Sequence, residues 1–317
     1  MFEIIKKTNF DFVGKRYWAF AVSGILILSG IASLVMKGGP KWGLDFTGGN
    51  LIEIQFADPP SLEEMRAALS GKGIPSFELQ SVPSEGIYIV RTQLQGRRSP
   101  FGGTDPADPA GPRVSDMGER IRAIVAESFP DRSPVLLRKE FVGPTVGAHL
   151  FKQTSLAFIL TFVGIIIYVA FRFHSGVWGV AGVVALIHDV FATIGVFSIL
   201  DKEITVTVVA ALLTIAGYSI NDTIVIFDYL REKLRLLRTE PLNVVINRSV
   251  NDTLSRTLIT NLMVLLVVLT LYFFGGEVIH DFAFAMVFGA IVGTYSSIGI
   301  ATPFIYEWER VRGKRKS

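Results

Sequence analysis

Strongly polar side chains interrupt three otherwise apolar stretches of this chain. His188 and Asp189 stand in the middle of the stretch 177–200. Asn221 and Asp222 stand toward the end of the stretch 204–227, with Asp228 just past it. Arg256, followed by Thr257, Thr260 and Asn261, opens the stretch 257–274. A charge at the centre of a membrane helix costs ~2.5 kcal/mol or more and usually faces protein or water. A carboxylate that gains and loses a proton in such a place is what a proton relay requires. Arginine does not release its proton, so its part beside a carboxylate would be to tune it and to alternate partners. Thr214, Tyr218 and Asp222 recur every fourth residue and share one helix face, with Asn221 beside it. That stripe reads as the wall of a hydrated path. Neighbouring spans run antiparallel, so Asp222 and Arg256 fall in the same half of the layer, and an Asp–Arg pair across two helices would satisfy both charges. Plainer roles are open to some of these residues. Arg256 would serve equally as the headgroup anchor of its span, and His188 and Asp189 as relay members or as polar support between helices. Asp228 reads as a solvated residue at a helix exit.

The elements that must position these residues follow from composition. Half of the 317 residues are hydrophobic and 19% are charged, against about 25% charged in a soluble domain. Mean hydropathy is +0.46. The apolar residues gather at 17–36, 154–171, 177–200, 204–227, 257–274 and 282–306, each near the ~20 residues that cross a ~30 Å hydrocarbon core. A soluble enzyme is thereby excluded as the default. Six spans put both termini on one side, and the basic residues say which. Lys15 and Arg16 precede span one, Arg231, Lys233, Arg235, Arg238 and Arg248 lie between spans four and five, and Arg310 and Arg312 follow span six. The opposite short loops hold only Lys202. Both termini are expected in the cytoplasm. The net charge of +3 is therefore a topology signal and gives no reason to expect nucleic acid. The chain has no Cys, and its four His form no HxxxH or HExxH pair, so no metal site is expected. No P-loop for ATP and no GxSxG motif for hydrolysis occurs. Transport by this chain would draw on an ion gradient or a partner.

The predicted organisation is a first span at 1–36, an outer domain at 37–152, spans two to six at 153–306 and a basic tail at 307–317. The outer segment alternates like a strand at 51–56, and Ser61 with Glu64 makes a capping box opening a helix through Leu69. Strands follow at 77–82 and 86–94, a helix from Asp116 to Phe129 and a strand at 135–142. That order is the split βαβ, ferredoxin-like plan. Residues 95–113, rich in Gly and Pro, read as an insertion. Gly43, Asp45, Gly48 and Gly49 make a turn and hinge where the chain leaves span one, with Asp45 as a turn cap. In span six, Gly289, Gly293 and Ser297 belong to a line of small residues that lets another helix approach closely.

Four stretches carry a resemblance: GLDFTGG at 43–49, VGPTVG at 142–147, GYSINDTIVIFD at 217–228, and RTLIT at 256–260 with FGG at 274–276. In this order and topology they resemble the SecF family of protein-export membrane proteins, over nearly the whole chain. The resemblance implies one six-span half of an RND-type transporter in a bacterial inner membrane, with SecD as the other half. It implies a role with the SecYEG translocon and YajC, acting on unfolded preprotein at the outer face. The proton-motive force would drive it, with protons as coupling ion and no other cofactor, and no chemical enzyme. By the same resemblance Asp222 and Arg256 take part in proton transport. His149 and the long 95–113 insertion depart from the family pattern. A small-molecule exporter and a purely structural subunit are the rival readings.

Overall fold

The computed structural model describes residues 8–72, 74, 77–82, 86–93, 114–173 and 176–314. The expected insertion at 95–113 lies outside them. Six stretches of helix are long and apolar enough to cross a membrane: α1 (Arg16–Lys37), α5 (Pro144–Phe173), α6 (Gly176–Ile199), α7 (Val206–Leu236), α8 (Leu242–Phe274) and the α9–α10 pair (Glu277–Ser296, Thr302–Lys314). Three of them outrun their apolar stretches. The 33 residues of α8 span ~50 Å at 1.5 Å per residue, more than a ~30 Å hydrocarbon core needs. Their polar ends carry no hydropathy signal, so the sequence places the starts of α5 and α8 too late and the end of α7 too early. The last span is also interrupted, since a π turn at Ser297–Ala301 separates α9 from α10.

The chain forms two compact units, one of residues 1–41 and 156–317 and one of residues 42–155. In the helical unit α6, α7 and α9 are largely enclosed, while α1, α5 and α8 expose most of their apolar length. Small residues set the close crossings. A Cβ on Gly30 of α1 would lie 2.7 Å from the Cα of Gly195 of α6. On α9, a Cβ at Gly289 would lie 2.3 Å from Ile215 of α7, and one at Gly293 would lie 3.0 Å from Ser219 Cβ. The small-residue line of span six therefore faces α7 of the same chain.

The second unit holds β1 (Gly49–Gln55), α3 (Leu62–Gly71), β2 (Phe77–Val82), β3 (Ile87–Gln93), α4 (Val114–Ser128) and β4 (Val135–Val142). The strands pair antiparallel in the order β2-β3-β1-β4, as the split βαβ plan requires. Ile52, Ile54 and Val90 of the sheet pack with Met65 and Leu69 of α3 and Ile121 of α4. The Ser61–Glu64 capping box is formed in both directions. The second helix begins at Val114, two residues before the expected start at Asp116.

Candidate functional site

The hinge motif comes first along the chain and is more ordered than a turn. Residues Leu44–Thr47 make a short helix, α2, with Asp45 in its first turn. Gly43 precedes it in extended geometry, while Gly48 and Gly49 have φ of 69° and 139°. Such angles suit glycine alone, and a Cβ on Gly49 would lie 2.1 Å from the Thr92 carbonyl oxygen. Trp42, Phe46 and Phe151 meet edge to face at centroid distances of 5.3 to 6.1 Å. A Cβ on Gly147 would lie 2.8 Å from the Phe46 carbonyl oxygen. The glycines of both motif stretches, 43–49 and 142–147, thus permit one tight junction within the second unit.

In the helical unit α7 places Tyr218 and Asp222 one turn apart. Asp222 is 3% exposed, and its Oδ2 has no hydrogen-bond partner. The Tyr218 hydroxyl and Thr257 Oγ1 of α8 are also buried without partners. A buried polar atom left open costs ~1–3 kcal/mol, so three on two adjoining helices call for a reason beyond packing. Thr214 and Asn221 are exposed, and the Thr214 hydroxyl donates to the Ala210 carbonyl of its own helix.

Arg256 does not close the pair expected from the sequence. Among the described residues no ion pair within 4.0 Å joins it to Asp222, whose Oδ2 stays without a partner. The reason lies in the faces of α8. Thr253, Thr257 and Asn261 point inward, and Asn261 donates to the Ala290 carbonyl at 3.1 Å. Arg256 is off that face and exposed. Asp228 is more than a solvated exit residue, since it forms an ion pair of 2.7 Å with Arg172 of α5.

His188 and Asp189 lie inside the bundle, where Asp189 meets hydroxyls that the sequence did not single out. Ser219 of α7 and Ser296 of α9 both donate to Asp189 Oδ2, at 2.5 and 2.8 Å. Thr223 and Ser297 pair at 2.8 Å nearby. The only sequence signal was the spacing of Ser219 and Thr223 four residues apart on span four. Among the described residues no group of three His, Cys, Asp or Glu side chains could hold a metal ion.

Outside the spans, ion pairs tie helix ends together. Lys37 and Lys41 both reach Asp201, which has a φ of 57° in the α6–α7 turn. The Lys37 hydrogen bond and the Lys41 charge hold the Asp201 carboxyl below its ordinary range. At the other end, Asp11 accepts from the Gly14 amide and from Asn247, and both hold its carboxyl low.

Six membrane spans with an α+β unit inserted after the first define this as a multi-pass membrane protein built like one half of an RND-type transporter. Comparison with known proteins narrows the class. The model described as "Protein export membrane protein SecD/SecF, C-terminal" matches residues 123–311, and the "SecD/SecF GG Motif" matches residues 33–60. The chain is 40% identical to a protein translocase subunit SecF of Endomicrobium trichonymphae, covering 98% of this chain and 94% of that one. It is 41% identical to SecF of Vibrio alginolyticus, over 95% of this chain and 91% of that one. Against the crystal structure of SecDF from Thermus thermophilus, described as a translocon-associated membrane protein, the TM-score is 0.81 at 33% identity. The alignment covers 96% of this chain and 39% of that one, so the chain spans well under half of SecDF. The chain belongs to the SecD/SecF family.

Proposed function

We propose that this chain is a protein-export subunit that pairs with SecD and uses the proton-motive force to assist preprotein movement at the outer face of the membrane. The SecYEG channel, with YajC, is the partner assembly in this reading, and both termini lie in the cytoplasm. Membership of the SecD/SecF family supports the export role. Coverage of about two fifths of the SecDF chain supports SecD as the other half.

One observation carries the proton-coupled part: Asp222 is 3% exposed, and its Oδ2 has no hydrogen-bond partner and no salt bridge to Arg256. A carboxylate locked to an arginine has no free site for a proton. Asp222 has one. In this reading Arg256 stabilises the ionised form and turns elsewhere when a proton binds, and Tyr218 and Thr257 offer hydroxyls along the way. Asn221, exposed beside Asp222, is polar support for the path in this reading. A proton crossing releases about 2.3 kcal/mol per 100 mV, which shifts a two-state equilibrium about fifty-fold. That suffices to bias a movement of the outer unit.

The test is export of a secretory precursor in cells whose only copy carries Asp222→Asn, with assembly of the complex followed in parallel. Asparagine keeps the size and loses the titration. Export falling at least about tenfold, ~1.4 kcal/mol, with assembly intact is the expected result. Wild-type export with intact assembly would leave a structural subunit in place of a proton-driven one.

A further inference from the structure

Among the described charge-bearing side chains of the helical unit, Asp189 alone has no exposure at all, and the relay just proposed does not use it. Its Oδ2 is filled by the hydroxyl hydrogens of Ser219 and Ser296. Its Oδ1 lies 3.1 Å from His188 Nδ1. The other ring nitrogen, His188 Nε2, is buried and has no protein hydrogen-bond partner.

Donor counting restricts what this pair can be. With hydrogen on Nδ1, three donors meet a carboxylate, and Nε2 keeps an open lone pair. The two side chains then carry one net negative charge inside the hydrocarbon layer, where charge is costly. A proton arriving at Nε2 forms one N–H bond and gives a carboxylate–imidazolium pair of zero net charge. If the Nδ1 hydrogen then moves to Oδ1, the products are a carboxylic acid donating to Nδ1 and a neutral ring with hydrogen on Nε2. Both outcomes keep the two serine hydrogen bonds, and the reverse transfer at Nε2 releases the proton.

We propose that His188 and Asp189 form a second proton-binding site, loaded and emptied at His188 Nε2 and separate from the Asp222 carboxyl. A merely structural acceptor would not need its histidine left open at the far nitrogen. Among the described residues no ion pair joins a further charged side chain to His188 or Asp189. From α9 the Tyr295 ring stands 6.2 Å from the His188 ring, with its hydroxyl donating to the Ala19 carbonyl and paired with Ser23 of α1. From α7 come Ser219 and, further along, Tyr218 and Asp222. The charged residues of α1, Arg16 and Lys37, stand at its two ends, and in α10 Glu307 is paired with Arg16.

The site adjoins the candidate relay through hydroxyls. Ser219 and Thr223 are one turn apart on α7, and Ser297 reaches the Thr223 hydroxyl at 2.8 Å and the Ser219 carbonyl at 3.4 Å. This row leads from Asp189 to the residue next to Asp222, and the π turn of the last span begins at Ser297. Such insertions recur at functional sites. The place of the pair in a proton path rests on the reading of Asp222 above; its capacity to bind a proton does not.

The test is nitrogen NMR of the full chain in lipid nanodiscs with isotope-labelled histidine, the His188 signals being assigned by loss in His188→Gln. At alkaline pH the His188 ring should carry its hydrogen on Nδ1, and on acidification Nε2 should become protonated, either beside the Nδ1 hydrogen or with that hydrogen passed to Asp189. Asp189→Asn should abolish the Nδ1–H preference and displace the titration, while Asp222→Asn should leave both unchanged. A ring with hydrogen on Nε2 at every pH, with no second proton, would overturn the proposal, and wild-type protein alone decides that point. The same titration in Asp189→Asn, or its loss in Asp222→Asn, would also overturn it. Wild-type export by Asp222→Asn, by contrast, removes the relay reading and leaves this one standing.

Discussion

Single residues carry the strongest sequence signals here and also the clearest failure. Asp222 was legible because the apolar run continues past it, so that its carboxyl group had to lie within the layer. The missing Asp222–Arg256 ion pair was not legible. Spacing fixes the height of Arg256 on its helix, while the inward face of α8 is set by Thr253, Thr257 and Asn261 packing on their neighbours. The partners of Asp189 were hidden for a similar reason. Ser219 and Ser296 are 77 residues apart in the chain, and nothing local joins either to Asp189. Gly49 offers a residue-scale prediction. Its φ of 139° and the 2.1 Å between an added Cβ and the Thr92 carbonyl oxygen leave no room for a side chain. Gly49→Ala should destabilise the second unit by ~1–3 kcal/mol, seen as faster limited proteolysis within residues 42–155. Unchanged proteolysis would mean that the motif bends freely there.

Elements were read well where pattern and cap agree. β2 and β4 begin and end where alternation placed them, and α3 starts at the capping box. Where the signal was hydropathy alone, α1 and α6 were placed to within a residue, but the start of α5, the end of α7 and the start of α8 were missed, because their polar turns extend past the apolar stretch. The π turn of the last span had no signature beyond a run of small residues. The α3 cap makes a pH-dependent prediction. The Ser61 amide hydrogen bond, then the Arg132 charge, hold the Glu64 carboxyl below its ordinary value of 4.5. A lowered folded-state value means that the contribution is complete above the unfolded value and is lost as pH falls through the folded one. Protection of the amides at the start of α3, measured against their intrinsic exchange rate at each pH, should therefore fall only as pH drops below about 4.5. Ser61→Ala should lower that protection at neutral pH too, by about fivefold for the ~1 kcal/mol typical of a lost N-cap. Equal exchange in the two proteins would show that the cap does not hold this helix end.

At the scale of the whole molecule the sequence conveyed the number of spans, and the basic residues predict their orientation. The orientation is a prediction with a direct readout, since the chain has no cysteine of its own. A single Cys at Ala126, exposed on α4, should react with an impermeant reagent from outside, and one at Thr239, exposed between α7 and α8, should not. The reverse pattern would invert the topology and with it the direction in which protons reach Asp222. Everything then converges on whether a proton gradient acts through that carboxyl group. The most direct measurement is the rate of precursor translocation into sealed inverted vesicles containing the assembled complex, with and without an imposed proton gradient. With the wild-type chain the gradient should accelerate translocation, and with Asp222→Asn the rate should be the same in its presence and absence. A gradient response that survives unchanged in Asp222→Asn would contradict the account at its centre.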